Sequence, residues 1–394
     1  MTALAPPTGR VRGARERVFG HTGDPHPLMH VDWLLVAVTF AITALGLAMI
    51  YSATNSITEV NDLGRMHYVS RQAMALGIGV VAMIVAASFD YRRFRELWPV
   101  AYGLVIPLLI AVRFVGTGQG GTTAWFDVGP MQFQPSEIAK LAIILAVAGY
   151  CHAHRGELDA WRLAVAVTVA GIAMGLTMLQ NDLGTMLVMG ACTIGILYVA
   201  GLRFVHLLVL FLLAASCLVG LLVTDTFNAY RLERLTGFVT QDRVEDATAA
   251  TDTEYNLQQS KDAIANGGFW GQGFGEGPLT QNGFVPEQHT DFIFTAVGEE
   301  LGFVGAASLL GLYGILAWRI WRTAMLSQDF QGTLICIGVL AVFVFQIFEN
   351  AGMTMGIMPI TGIPLPFVSY GGSALIAYLA AIGLVINVHM RRFS

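Results

Sequence analysis

The chain has 394 residues, of which 55% are hydrophobic and only 12% charged, with a net charge of −5. A soluble domain carries about 25% charged residues, so this set is too small to cover a water-facing surface. High apolar content with a small net charge excludes a disordered chain. The only lysines are Lys140 and Lys261, and no basic stripe appears, which argues against nucleic acid as a partner. What remains is an integral membrane protein. Its apolar runs are long and continuous rather than alternating, which points to an all-α protein and not a barrel. Cys151, Cys192, Cys217 and Cys336 lie in or beside these runs without metal-ligand spacing, and read as small buried hydrophobes.

In chain order the pattern predicts ten transmembrane helices, at about 33–52, 72–89, 99–115, 138–153, 163–179, 184–201, 205–224, 291–318, 332–353 and 374–390. Residues 1–32 form a tail, 33–390 a polytopic membrane domain, and 391–394 a second tail. Arginines set the orientation. Arg10, Arg12, Arg15 and Arg17 precede the first span. With them inside, Arg92, Arg93, Arg95, Arg155, Arg162, Arg203, Arg319, Arg322, Arg391 and Arg392 also fall inside, against Arg65, Arg71 and Arg113 in the short loops outside. Both termini are therefore expected in the cytoplasm. The long basic tail before the first span fits an uncleaved signal anchor better than a cleaved signal. No fixed-period repeat is visible.

One large extracytoplasmic loop, at about 225–290, is too long for a connector and includes the glycine-dense stretch from Asn266 to Gly277. Four further places put polar groups where a membrane makes them expensive. Glu137 and Lys140 share one helical face at the start of the fourth span, either as a structural ion pair or as the charged wall of a cavity. Asp182 sits in a tight turn and is suited to cap the sixth span, which is the structural alternative to a functional role. Asp291 enters the eighth span, where an N-cap is again the plain reading; His289 beside it is an alternative acid or base. Glu299 and Glu300 lie inside that span and need partners. Finally, two prolines and a Gly-Gly pair between Gly362 and Ser373 cannot continue a helix. They imply irregular backbone that lines a cavity or re-enters the membrane, or else a plain loop.

These strings, taken together, resemble the SEDS polymerases of cell-wall synthesis, the RodA and FtsW proteins. The resemblance runs from about Asp32 to the end. It rests on Met49-Ile-Tyr-Ser-Ala-Thr54, Phe133-Gln-Pro-Ser-Glu-Ile-Ala-Lys140, Asp182-Leu-Gly-Thr185, Gln259-Ser-Lys-Asp-Ala-Ile264, Pro286-Glu-Gln-His-Thr-Asp-Phe-Ile-Phe294, Glu299-Glu-Leu-Gly302 and Thr361-Gly-Ile-Pro-Leu-Pro-Phe-Val-Ser-Tyr-Gly-Gly-Ser373. Asp32-Trp-Leu34 and Gly277-Pro-Leu-Thr-Gln281 are more similar to RodA, so elongation and cell shape are expected before division. Two positions depart from the family pattern. Asn181 stands where the family has proline, and Ala124 stands where it has a basic residue before Trp125.

The resemblance implies a peptidoglycan glycosyltransferase that acts on lipid II at the outer face of the bacterial cytoplasmic membrane. The donor is a glycan chain on undecaprenyl pyrophosphate, the acceptor a lipid II sugar hydroxyl, and the product a β-1,4 link. By the family motif Asp291 is the expected catalytic base. Arg71, Lys140 and Lys261 are expected to contact pyrophosphate, with Glu137 orienting Lys140 and Asp182 shaping the cavity. A divalent cation, Mg or Mn, held by Asp291 is the alternative use of that carboxylate, and no organic cofactor is implied. The expected protein partner is a single-span class B penicillin-binding protein. A lipid flippase or transporter, and a non-catalytic scaffold, are the competing functional classes.

Overall fold

The computed structural model describes residues 30–55, 66–119, 122–129, 131–156, 159–202, 205–206 and 252–392. The seventh predicted span beyond residue 206, the loop before residue 252, the basic tail, Arg65, Arg203, Cys217 and the last two residues lie outside them. The chain is an all-helical membrane protein. Among the described residues it forms eleven α-helices: α1 Trp33–Ala53, α2 His67–Ser88, α3 Phe94–Val115, α4 Pro135–Ala153, α5 Ala160–Leu179, α6 Leu183–Val199, α7 Asp252–Gly267, α8 Pro278–Gln281, α9 Ile293–Leu326, α10 Phe330–Thr354 and α11 Gly372–Met390. Eight of these are long and apolar enough to cross a membrane, and α6 is a shorter apolar helix.

Aspartates start several of the helices. Asp32, Asp159, Asp182 and Asp329 each accept a backbone N–H from the first turn of α1, α5, α6 and α10. Each satisfies a donor that the helix itself leaves unpaired. Asp32 also pairs with Arg319 of α9 at 2.5 Å, tying the start of α1 to the far part of α9. The fourth span begins earlier than expected, because Pro135 takes the first helical position, where its missing N–H costs nothing. The third begins at Phe94 and carries Pro99 and Pro107 within it. Between α3 and α4 the chain forms an unpredicted antiparallel sheet, order β1-β2-β3, from Thr117–Gln119, Thr122–Val128 and Met131–Phe133. Its register pairs Gly118 with Thr123 and Phe126 with Phe133.

Burial separates the helices. The apolar windows of α4, α10 and α11 are 72%, 61% and 83% buried, against 22% for α2 and 17% for α3. The first three form the centre, and the other two expose apolar side chains such as Ile78, Val81 and Leu104 to lipid. Where α10 ends, residues 355–371 run without helix, and Ile363, Leu365, Phe367 and Val368 are buried. Side chains satisfy this irregular backbone. Asn350 Nδ2 donates to the Ile363 carbonyl (2.8 Å), the Tyr313 hydroxyl donates to that of Pro366 (2.5 Å), and Ser369 Oγ accepts the Leu365 N–H (2.8 Å). Gln72 of α2 donates to the Ser369 carbonyl (3.2 Å) and accepts the Gly371 N–H (3.1 Å). The Gly362–Ser373 string is thus buried irregular backbone packed against the helices, as expected of a cavity-lining or re-entrant segment. Helix α1 approaches it at Gly46, where a Cβ would stand 2.5 Å from the Phe367 carbonyl oxygen.

The eighth predicted span is not one continuous helix. Within α9, Gly302 has φ 66° and ψ −166°. In an unbroken helix the Glu299 and Glu300 carbonyls would accept from the N–H groups of Phe303 and Val304. Instead Glu299 O accepts from Gln272 N (3.0 Å) and Glu300 O from Gly273 N (3.0 Å). Phe303 N donates to Gly268 O (2.9 Å) and Val304 N to Phe269 O (3.2 Å). The glycine-dense loop is thus spliced into the helix ladder and replaces both broken bonds. Only glycine allows that approach: a Cβ on Gly271 would lie 2.2 Å from Glu300 O, and one on Gly302 would lie 2.2 Å from Gly271 N. Gly271→Ala or Gly302→Ala is therefore expected to cost about 2–4 kcal/mol and to lower the melting temperature in detergent by roughly 5 °C. Gly311→Ala, which has open space around its Cβ, is expected to leave it unchanged.

Candidate functional site

Several of the sequence-predicted residues fall into two polar clusters joined by residues 369–373. In the first, His289, Tyr68 and Tyr370 pack as three rings with centroids 5.2–5.8 Å apart. Tyr370 N donates to the His289 carbonyl at 2.9 Å, and the Arg71 guanidinium acts on the Tyr370 hydroxyl. Two residues beyond His289 lies Asp291, whose carbonyl accepts from Asn350 Nδ2 at 2.7 Å. Ser369 Oγ donates to Thr290 O at 2.6 Å. The 286–292 turn is therefore held from α10 by Asn350 and from the 361–371 segment by Ser369.

Asp291 is not the N-cap of the eighth span. Phe292 occupies that position, and no side chain caps the helix. Local preference favours Asp at a cap, but here Asn350 and Ser369 hold the backbone of residues 290–291 before the helix starts.

The second cluster holds Glu137, Lys140 and Asp182. Lys140 Nζ lies 2.9 and 2.8 Å from the two Glu137 oxygens, and both side chains are almost fully buried, at 3% and 2% exposure. Nζ also stands 5.3 Å from the centroid of the Tyr378 ring. A small cavity opens beside the pair, lined by Ile144, Val342, Phe343 and Tyr378. Asp182 caps α6 through Oδ1 (2.9 Å to Thr185 N), as the structural reading expects. Its Oδ2 accepts from Gln134 Nε2 at 2.9 Å, and Lys140 acts on it electrostatically. Gln134 N in turn donates to Ser373 Oγ at 3.0 Å. The two clusters meet at one short stretch, with Ser369 and Tyr370 facing the first and Ser373 the second.

Lys261 lies on α7 and is partly exposed. Its neighbour Ser260 bonds Thr295 Oγ1 (2.5 Å) and Thr354 O (2.8 Å), which places α7 against the beginning of α9. Glu299 and Glu300 find the partners they need. Glu299 accepts from the Leu279 and Thr280 N–H groups (2.9 and 2.8 Å), the Thr280 hydroxyl (2.6 Å) and Asn266 (3.1 Å), and so caps α8. Glu300 accepts from Ser52 (2.5 Å) and Gln281 (2.9 Å), binding the end of α1. Both carboxylates hold the loop and its short helix in place. Asn350 was not among the predicted residues. The signal for it is an amide inside an apolar span, which demands a partner as a charge does.

Among the described residues no three His, Cys, Asp or Glu side chains converge into a cation site. A cation at Asp291 would take its remaining ligands from substrate phosphate and water, as Mg commonly does.

Burial of the His289 imidazole lowers its pKa from the ordinary 6.5, partly opposed by the Glu287 carboxylate. The folded protein then binds fewer protons there than the unfolded chain, so this contribution is present near neutrality and is lost as pH falls below about 6.5. Melting temperature is expected to drop between about pH 7.5 and 5.5, and His289→Gln is expected to remove part of that drop.

The profile of the FtsW, RodA and SpoVE family, described as cell cycle protein, matches residues 32–393. The chain is 34% identical to stage V sporulation protein E of Bacillus subtilis over 361 residues, covering 91% of this chain and 96% of that protein. It is 33% identical to the peptidoglycan glycosyltransferase MrdB of Escherichia coli K12 over 365 residues, covering 92% and 95%. Overall identity thus does not separate these two relatives. A solved chain from a peptidoglycan synthase complex, described as coordinating polymerization and crosslinking, superposes with a TM-score of 0.76 at 34% identity, over 92% of this chain and 99% of that one. With the family profile matched over nearly the whole chain and the helical fold shared, this protein belongs to the FtsW, RodA and SpoVE family of multi-pass proteins of the bacterial cytoplasmic membrane.

Proposed function

We propose that the protein is a peptidoglycan glycosyltransferase that polymerises lipid II into β-1,4-linked glycan at the outer membrane face, for elongation and shape. What supports this reading is the family membership, together with the hydrogen bonds that tie the Asp291 turn to α10 and to the 361–371 segment, beside the Tyr370 hydroxyl on which Arg71 acts. In the reaction, the Asp291 carboxylate accepts the proton of the acceptor hydroxyl as its oxygen bonds to C1 of the donor. The bond from C1 to the pyrophosphate oxygen breaks, and configuration inverts. Undecaprenyl pyrophosphate leaves with the electron pair, and its charge is stabilised by Arg71, with Lys140 and Lys261 as further cations. Glu137 holds Lys140, and Asp182 shapes the adjoining wall. A divalent cation on Asp291, if bound, would supply charge at the pyrophosphate instead.

A transporter reading needs polar groups that open on both sides in turn. At the other end of the bundle, Arg319–Asp32, Arg92–Asp329 and Arg391–Asp90 are ion pairs between elements, which favours a fixed scaffold there. A class B penicillin-binding protein that cross-links the strands is the proposed partner. It fits the likeness to a chain from a synthase complex.

The test is purified protein in detergent with lipid II. Asp291→Asn and Asp291→Ala are expected to fold normally and to lose about 10²–10⁴ in rate. Polymerisation at the wild-type rate by folded Asp291→Ala overturns the assignment. A chelator that abolishes turnover, with recovery on adding Mg or Mn, assigns Asp291 to a cation; turnover indifferent to chelation assigns it as the base. Exchanging Glu137 and Lys140 separates their roles: recovered activity in Glu137→Lys/Lys140→Glu indicates a structural pair, and continued loss indicates that the Lys140 charge is needed in place.

A further inference from the structure

The glycine loop carries a patch that the catalytic reading does not use. Phe269 and Trp270 are 58% and 78% exposed, and Phe303 of α9 is 63% exposed. Phe269 stacks on Phe303, with centroids 5.7 Å apart and planes inclined by 24°, and Trp270 meets Phe269 edge-on at 5.1 Å. Main-chain bonds fix the depth of these rings. The Gly268 and Phe269 carbonyls accept the N–H groups of Phe303 and Val304, so the loop stands at the level of Phe303 whatever its side chains do.

That level can be measured along α9. Residues 303–318 carry no charge, and Arg319 and Arg322 follow, with exposed Trp318 and Trp321 beside them. The Arg319 and Arg322 guanidinium carbons lie 5.3 and 5.7 Å from the Trp318 ring centroid. Tryptophan with arginine at the end of an apolar run marks one membrane interface. At about 1.5 Å per residue, Trp321 and Phe303 are roughly 27 Å apart along the helix axis. The hydrocarbon core of a bilayer is about 30 Å thick. The Phe269–Trp270–Phe303 patch therefore stands at the opposite interface, although Phe269 and Trp270 belong to a loop rather than to a span.

We propose that the 268–274 loop is a membrane-interface anchor, whose Phe269 and Trp270 rings lie in the lipid headgroup and upper acyl region. Its occupant is the lipid bilayer itself. Glycines bend the loop into the break of α9, and aromatic residues on its outer side hold it there from the lipid side. Phe274, 50% exposed on the same loop, extends the patch.

The test uses full-length protein in nanodiscs of phosphatidylcholine and phosphatidylglycerol. Tryptophan emission is compared between wild type and Trp270→Phe, with lipids brominated at the upper acyl chain and with aqueous iodide as quenchers. The wild type is expected to show a lipid-quenched component that Trp270→Phe lacks, and that component is expected to resist iodide. A spin label at Trp270→Cys in a Cys217→Ser background is expected to be oxygen-accessible and shielded from a water-soluble nickel reagent. A label at Gln258→Cys on α7 provides the water-exposed reference. Nickel accessibility at position 270 equal to that at 258, or a Trp270 component quenched by iodide and not by lipid, overturns the proposal. So does shielding that arises only when a protein partner is reconstituted, since the patch would then be a protein-docking surface.

Discussion

Inside a bilayer no water is available to satisfy a backbone N–H or carbonyl, and this structure is organised by that shortage. Continuous helices meet it by themselves. Among the described residues, the break in α9 and the segment after α10 are two places where buried backbone leaves the helix, and each is closed by partners from elsewhere in the fold. At Gly302 the partners are four main-chain groups of the glycine loop. In the 361–371 segment they are side chains: Asn350, Tyr313, Ser369 and Gln72. Two of the residues that serve these repairs, Asn350 and Ser369, also hold the Asp291 turn. Asn350 shows the economy of the arrangement, since a single amide nitrogen donates to both Asp291 O and Ile363 O. Site and scaffold share the same hydrogen bonds.

A carboxylate just before a helix start would ordinarily be held in its anionic form by the helix dipole and made a weaker base. Here the residue at the cap is Phe292, and Asp291 precedes it, with its carbonyl held by Asn350. The supporting groups come from α10 and the 361–371 segment, both among the more buried parts of the molecule. Rigidity at the Asp291 backbone therefore comes from the interior, while the neighbouring Tyr68, His289 and Tyr370 rings stay partly open.

Most spans were legible because an uncharged run of twenty residues has few alternatives, and because Asp32, Asp159, Asp182 and Asp329 mark helix starts chemically. The Glu137–Lys140 pair was legible for a similar reason, since a spacing of three on a helix puts both charges on one face. The sheet at 117–133 was not, because strands of three and seven residues carry little periodicity. Nor was the break at Gly302. One glycine in an apolar helix costs only about 1 kcal/mol, so Glu299-Glu-Leu-Gly302 reads as continuous. What breaks the helix is the loop that competes for its hydrogen bonds, and that loop lies about thirty residues away in sequence. The Ser52–Glu300 bond spans 248 residues. The N-cap alternative for Asp291 fails because Phe292 takes that position, and the Asn350 bond to the Asp291 carbonyl is a tertiary contact that no local rule contains.

The splice at Gly302 also has a mechanical meaning. A bare glycine break would act as a hinge and let the two parts of α9 move independently. Four hydrogen bonds cross this one, two from each side of the break to the same loop, so it behaves as a welded elbow. Any tilt of the lower part of α9 is carried into the loop. From there it passes through Glu299 to α8, and through Glu300 and Gln281 to Ser52 at the end of α1. A long helix thus ends in a bracket that ties α9, the glycine loop, α8 and the end of α1 into one body.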